Sequence, residues 1–339
     1  MKIAWLIGTG IAGVALPLAL TGQERAQLDT TVHLNLRGTV DLSLVSGKII
    51  VRGWELPDVK IVASTENGVL RFDATSNRVT LRVERGGERS RGDASYDVSV
   101  PRGTRLLLQT ASGTVTTIGS QGEISATTVS GAIDVSGARR KVDLQTVAGP
   151  IKASQLAGDL RAQNVSGSVR AENVSGRVEA WTVNGAVRVI GGRSNDIRAE
   201  TVGGDIFYAG AVTTGGTYDF ESHSGTVRLS LAHSPGVQFR LETVSGTVQT
   251  NFPTETAASN GGRKDRRVEF TIGDGRANVT ARTFSGRIVV NGDAGPATRR
   301  DSASIVRIDS VPRIRRDSAS TIRRDSVSTT KRDSVSTTR

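Results

Sequence analysis

The stretch NVSGSVRAENVSGRVEAWTVNGAVRV, residues 164–189, repeats the pattern Val-Ser/Asn-Gly-x-Val three times at intervals of nine residues. Counting in nines from Val129 shows that positions zero, four and six of the unit are apolar in seven consecutive units. Residues two apart face the same side of an extended strand, so we predict that these positions point into a core. They are Val129, Ala138, Val147, Leu156, Val165, Val174 and Val183; Ile133, Val142, Ile151, Leu160, Val169, Val178 and Val187; and Val135, Leu144, Ala153, Ala162, Ala171, Ala180 and Val189.

Position two of the unit is almost always glycine, and only Arg140 interrupts the column. A glycine that recurs at one place in a repeat leaves room where another backbone segment passes close by. We therefore predict that the repeat glycines are structural. They are Gly131, Gly149, Gly158, Gly167, Gly176 and Gly185.

Two folds are compatible with a nine-residue unit that consists of a strand and a corner. In the first, two units form one coil of about 18 residues, and coils stack as a parallel β-solenoid. In the second, Ser-Gly or Asn-Gly is a hairpin turn in an antiparallel meander. The step from position six to the next unit is three residues, which would require a bulge in every strand of a meander. We therefore predict an all-β, repetitive parallel β-solenoid with two nine-residue units in each coil.

Segments outside the regular units carry related signals. GKIIVRGW (47–54) and DVSVPRG (97–103) precede the serial VSGxVxV units. Over roughly residues 35–292, this arrangement resembles the bacterial family of unknown function called the "putative adhesin" family. The resemblance implies an exported β-repeat protein connected with adhesion, and it supplies no catalytic residues.

Composition shifts divide the 339 residues into four parts. Lys2 and the apolar run that follows predict a signal peptide over 1–22, cleaved between Ala19 and Gln27, and hence an extracytoplasmic protein without a transmembrane span. The alternative is an uncleaved anchor. Residues 23–105 are predicted to be an N-terminal β cap, and residues 106–292 the solenoid.

The tail, residues 293–339, is an octapeptide repeat such as RRDSASTI. From residue 299 onward it contains eleven Arg or Lys and five Asp, so it holds six of the net eleven positive charges. It has too little apolar surface to fold, which predicts disorder. The tail is interpreted either as a polycationic tether for an anionic surface or as an extension without consequence.

The outward charges differ between the two faces of the predicted coil. On one face, two columns alternate in sign at every rung, so we predict internal salt bridges and a neutral surface. On the other face the column reads Asp134, Lys152, Arg170 and Arg188, so that three cations follow one another, with small residues and no acid predicted beside them. We interpret this column as a possible track for an acidic polysaccharide or another anionic envelope surface. The alternative is that these side chains simply extend into water. The alternating columns are Asp143, Arg161, Glu179 and Arg198, and Lys141, Asp159, Arg177 and Asp196.

The sequence offers little for catalysis. It has no cysteine and only three histidines, without carboxylate company, so we predict no metal site, no cofactor and no catalytic residues. Glycoside hydrolysis needs two carboxylates across a cleft, which short coils do not build. We predict a non-enzymatic, adhesin-like binder with no specific nucleic-acid partner. A passive or envelope-sensing module and a polysaccharide-active β-helix enzyme are the alternatives, and the oligomeric state stays open.

Overall fold

The computed structural model describes residues 26–66, 68–85, 93–232, 236–252 and 266–292. Within these ranges the chain forms 24 β-strands and no helix, so it has no helical segment there that could cross a bilayer. The predicted signal peptide and octapeptide tail lie outside the described residues.

The first twelve strands are β1 (Ala26–His33), β2 (Thr39–Trp54), β3 (Asp58–Thr65), β4 (Gly68–Ala74), β5 (Arg78–Arg85), β6 (Asp93–Pro101), β7 (Arg105–Ile118), β8 (Ile124–Ser130), β9 (Ile133–Ser136), β10 (Val142–Ala148), β11 (Ile151–Leu156) and β12 (Leu160–Ser166). The other twelve are β13 (Val169–Val174), β14 (Val178–Asn184), β15 (Val187–Ile190), β16 (Asp196–Thr201), β17 (Ile206–Ala211), β18 (Thr217–Ser222), β19 (Val227–Ala232), β20 (Gly236–Thr243), β21 (Thr247–Thr250), β22 (Arg266–Gly273), β23 (Ala277–Thr283) and β24 (Arg287–Gly292).

Successive coils stack in parallel with a register of eighteen residues. Val142 faces Leu160 across β10 and β12, and Ile151 faces Val169 across β11 and β13. The prediction of an all-β parallel solenoid with two nine-residue units per coil is therefore confirmed. Later coils lengthen, so that Val178 pairs with Ile197 and Ile197 with Tyr218.

Each coil contributes one strand to each of two sheets. The first sheet has the order β4-β5-β2-β7-β8-β10-β12-β14-β16-β18-β23-β20-β22. The second has the order β1-β3-β6-β2-β7-β9-β11-β13-β15-β17-β19-β24-β21. The long strands β2 and β7 run through both sheets.

The order of coils departs from the order of the sequence at both ends. The coil made by β2 lies between β7 and the coil of β5 and β6. Likewise, β23 and β24 lie between the β18–β19 coil and the β20–β21 coil. Antiparallel strands then cover the ends: β1, β3 and β4 at one end, β22 at the other. The segment that we predicted as a cap thus supplies covering strands and also two coils: the coil of β5 and β6, and β2, which pairs with β7 from Thr39 to Arg52.

One corner of each coil is a stack of glycines. A Cβ on Gly131 would lie 1.9 Å from the carbonyl oxygen of Gly113, and a Cβ on Gly185 would lie 2.0 Å from that of Gly167. The same contact recurs at Gly204, whose Cβ would lie 1.8 Å from the oxygen of Gly185. No side chain fits in these gaps, so the glycines of this corner are required by close backbone packing.

The valines that precede this corner face outward, and our prediction that they point into the core was wrong. Val129, Val147 and Val165 are 55%, 48% and 40% exposed, and Val183 is half-buried. The strand alternation continues unbroken up to this corner, so the preceding residue is buried instead. Some of these buried side chains bond to the glycine corner: Thr182 Oγ1 donates to the carbonyl oxygen of Gly167 at 3.2 Å, whereas the buried hydroxyls of Thr128 and Thr146 have no hydrogen-bond partner among the described residues.

The opposite corner turns through a left-handed residue. Gln155 and Asn173 have φ angles of 55° and 53°, and Gly137 and Gly191 occupy the corresponding positions with φ of 78° and 66°. This conformation reverses the alternation once, and the next residue points inward again: Leu156, one residue after Gln155, is 1% exposed. The alternation is broken once at each corner, but by different steps: the buried residues go from Ala153 to Leu156 here and from Asn164 to Val169 at the glycine corner. This is why the two kinds of unit bury different residues.

Gln155→Gly is expected to stabilise the protein by about 1 kcal/mol, because a left-handed conformation is strained for glutamine and free of strain for glycine. Chemical denaturation measures the change. Gln163→Gly is the matched control, since Gln163 lies inside the regular strand β12, where glycine costs about 1 kcal/mol. A Gln155→Gly variant that is less stable than the parent would contradict this account of the corner.

The space between the two sheets changes along the stack. The regular coils line the interior with fully buried alanines such as Ala162 and Ala171. The longer coils fill the interior with aromatic rings, and the Tyr208 ring lies 5.8 Å from that of Tyr218 and 5.4 Å from that of Phe220. Large side chains therefore enter the core where the coils lengthen from eighteen to twenty-one residues.

Candidate functional site

The basic column predicted from the sequence lies on the second sheet. Lys152 faces Arg170 directly across β11 and β13, and Arg170 faces Arg188 across β13 and β15. Adjacent strands are about 4.8 Å apart, so the three side chains leave the surface at that spacing. Small residues lie beside them at the turn, namely Pro150, Ser168 and Ala186.

Two of these cations have acidic neighbours, and our expectation that no acid lies beside the column was wrong. Arg170 forms a salt bridge with Glu172, which is two residues further along β13. Lys152 Nζ lies 4.0 Å from Asp134 Oδ2 on the neighbouring strand. Residues two apart on a strand share a face, so Glu172 was visible in the sequence as a partner for Arg170. The net charge of this part of the column is therefore reduced.

The column continues beyond Arg188 with residues that the sequence analysis missed. Phe207 on β17 faces Arg188, and Arg228 on β19 faces Phe207. Val289 on β24 faces Arg228, and Arg287, the first residue of β24, lies two residues before Val289. Arg287 is therefore a diagonal neighbour of Arg228 on the same face. Arg188, Arg228 and Arg287 are exposed, and in the described part of the chain none of the three makes a salt bridge.

These residues escaped detection because the coils lengthen between them. Arg188 and Phe207 are nineteen residues apart in their pairing, and Phe207 and Arg228 are twenty-one apart. A prediction that assumes a coil of eighteen residues therefore assigns the wrong residues to the column after Arg188. The signal that could have found them is the looser repeat itself, since TVGGDIF and SHSGTVR align on their glycines.

The first sheet carries the predicted alternating columns in the expected register, with Asp143 facing Arg161 and Arg161 facing Glu179. The salt bridges follow only in part. Arg177 Nε donates to Asp196 Oδ2 at 2.6 Å, and this bond raises the pKa of Arg177. Arg198 instead pairs with Glu200 on its own strand, which raises the pKa of Arg198. Among the described residues, Arg177–Asp196 is thus the one cross-strand salt bridge within the two columns, and Asp143, Arg161 and Glu179 face one another without forming one. The register was predicted correctly, but the prediction of continuous salt-bridge ladders was wrong.

A family model identified by the description Toastrack DUF4097 matches residues 59–291. The match spans more than half of the chain and covers the β-repeat region. The chain belongs to the Toastrack DUF4097 family. The resemblance to the "putative adhesin" family that the VSGxVxV units suggested is thereby confirmed.

Two solved structures resemble the Toastrack chain distantly. One is described as a "putative cell adhesion protein" from Clostridium sporogenes; it is 12% identical, with a TM-score of 0.21, and the match covers 79% of this chain and 100% of that one. The other is described as a "putative adhesin" from Bacteroides fragilis; it is 9% identical, with a TM-score of 0.30, and the match covers 80% of this chain and 98% of that one. No curated protein matches this chain.

The histidines and Trp181 were also considered as ligand-binding residues. His33 Nδ1 lies 3.2 Å from Asp58 Oδ1, so our expectation that no histidine has a carboxylate neighbour was wrong. The ring of His223 stacks on Phe284 at 4.9 Å, and His233 lies outside the described residues. Trp181 is 38% exposed on the first sheet. Within the residues that the structure describes, no three metal-ligating side chains come together.

Proposed function

We propose that this Toastrack protein is exported and acts as a non-enzymatic, adhesin-like binder of an anionic surface polymer. The ligand lies along the basic column of the second sheet, which begins with Lys152, Arg170 and Arg188. In this proposal the solenoid is a rigid scaffold that presents cations at the spacing of its strands. Affinity for the polymer comes from several weak contacts made together.

The observation that carries the proposal is the register of Lys152, Arg170 and Arg188 on three adjacent strands. Like charges directly opposite each other destabilise a sheet by some tenths of a kcal/mol, so the column has a small structural cost. Exposed arginine and lysine side chains at one spacing suit a polymer that carries a carboxylate, sulfate or phosphate on each unit.

The salt bridge between Arg170 and Glu172 favours a second candidate, a passive spacer or envelope-sensing module. If most of the column is neutralised by its own acids, the surface has no need of an anionic partner. The two candidates differ in whether an acidic polymer binds to the second sheet.

The test is binding of the full chain to polygalacturonate at low and at physiological salt. We expect the triple variant Lys152→Ser, Arg170→Ser, Arg188→Ser to lose at least about tenfold in affinity at low salt, since three charge-assisted contacts disappear. We also expect added salt to weaken binding of the parent, because exposed charges are screened over about a Debye length.

The matched control removes three cations from the first sheet, with Lys141, Arg161 and Arg198 replaced by serine. It has the same net charge as the triple variant, and the basic tail is identical in all the proteins, so general attraction cancels. Equal affinity of the two variants, or no binding by the parent, would contradict the proposal and leave the spacer as the better description.

A further inference from the structure

The basic column ends in a cluster that differs from its beginning, and we propose that this cluster is a subsite for one acidic sugar unit. It consists of Arg188, Phe207, Arg228 and Arg287 and is called the arginine–phenylalanine cluster below. The inference rests on the proposed function and names its ligand class: a saccharide that carries a carboxylate, as in a polyuronate.

The first argument is charge. Lys152 and Arg170, at the beginning of the column, have acids within reach, whereas the arginines of the cluster form no ion pair with any described residue. Two acids lie diagonally beside Arg188 in the register: Glu172 on β13, which forms its salt bridge with Arg170, and Asp205, whose Oδ1 accepts the backbone N–H of Thr226 at 2.7 Å. Each of these carboxylates therefore has a partner of its own, Glu172 in Arg170 and Asp205 in the backbone just before β19. The free positive charge of this face is concentrated in the cluster.

The second argument is the position of an aromatic ring between two arginines. Phe207 faces Arg188 on one side and Arg228 on the other, so the two arginine backbones are separated by two strand spacings, about 10 Å. Phe207 is half-buried and lies on the outward face of β17, between the buried residues Ile206 and Tyr208. Part of the Phe207 side chain is therefore accessible at the surface.

The third argument is chemical fit. A pyranose ring has a flat face of C–H groups that packs against an aromatic ring, and a uronic acid adds a carboxylate at its edge. A guanidinium group matches a carboxylate with two parallel hydrogen bonds, which lysine cannot do. A ring over Phe207 thus places its carboxylate toward Arg188 or Arg228, while Arg287 lies beside the next unit. A polyphosphate chain carries negative charge but has no ring to pack on Phe207, so the phenylalanine would add nothing to its affinity.

The test uses the full chain with hexagalacturonate and, separately, linear polyphosphate as probes. We expect Arg188→Gln and Arg228→Gln each to weaken hexagalacturonate binding by about tenfold, because one charge-assisted pair is lost. Phe207→Leu keeps the apolar packing and removes the ring, and we expect a threefold to tenfold loss for hexagalacturonate and no change for polyphosphate. Isothermal titration calorimetry measures the affinity of each variant for each probe, at two salt concentrations.

The control variant is Arg161→Gln, on the first sheet, which should leave hexagalacturonate affinity within about twofold. Lys152→Gln, at the other end of the basic column, tests the rest of the proposed track. Loss of binding in Lys152→Gln without loss in Arg228→Gln would overturn the subsite and leave the proposed function standing. A Phe207→Leu variant that binds both probes like the parent would overturn the role of the ring. Failure of the parent to bind either probe would overturn the subsite and the proposed function together.

Discussion

Gly204→Ala is expected to lower the free energy of unfolding by at least about 3 kcal/mol, a large part of the stability of an ordinary domain. The new Cβ would lie 1.8 Å from the carbonyl oxygen of Gly185 and 2.5 Å from its carbonyl carbon. Both atoms belong to backbone that is held between neighbouring coils, so relief requires the two coils to separate. Chemical denaturation followed by circular dichroism measures the loss.

The adjacent glycine supplies the matched control. A Cβ on Gly203 would come no nearer to backbone than 3.7 Å, at the oxygen of Val183. Its one short contact, 2.9 Å, is with the side-chain oxygen of Asn184, which can rotate away. Gly203→Ala should therefore change stability by less than about 1 kcal/mol. Equal stability of the two variants would show that the glycine stack is not closely packed and would undermine the register of the corner.

Phe239→Ala is expected to cost about 3–5 kcal/mol, the usual range for deleting a buried phenylalanine side chain. Phe239 is fully buried in β20, and its ring stacks on Phe270 of the covering strand β22 at a centroid distance of 4.7 Å. It also contacts Phe252 at 5.6 Å. Removing the ring leaves a cavity between the end coil and its cover, which disconnects the cover from the stack.

The loss should be local as well as large. Repeat proteins are stabilised mainly by contacts between neighbouring units, so an end can open while the middle remains folded. In Phe239→Ala we expect faster hydrogen exchange over residues 236–252 and 266–292 and unchanged protection over residues 124–190. Phe284→Ala is the control, because Phe284 is 50% exposed and its removal leaves no internal cavity. Uniform loss of protection along the whole chain would contradict local opening.

The coil length, the parallel stacking and the inward columns at positions four and six followed from the sequence, because strand periodicity records which residues are buried. Periodicity cannot distinguish the two corners of a coil, since the step from position six to the next unit is three residues at both. Gln155 and Asn173 adopt the left-handed conformation at one corner, whereas the other corner takes five residues from one buried position to the next and exposes Val129 and Val147. Only the backbone angles separate them.

The candidate site was predictable where the repeat is regular and lost where it is not. Lys152, Arg170 and Arg188 were placed in one column correctly. Phe207 and Arg228 were missed because two longer coils shift the count. The pairing of Arg170 with Glu172 follows from neighbours along one strand, whereas the prediction considered only neighbours across strands.

The displaced coils at the two ends determine the order in which the chain can assemble. The β18–β19 coil has no partner on its outer side until β23 and β24 arrive, after the β20–β21 coil and β22 have been synthesised. Until then, a two-sided sheet edge is open to pairing with other chains. At the other end, β2 gains its two neighbours only after β6 and β7 exist. Duplication of a coil therefore preserves this order of pairing only in the regular middle of the stack. A nascent chain is vulnerable to aggregation until residue 292 has left the ribosome.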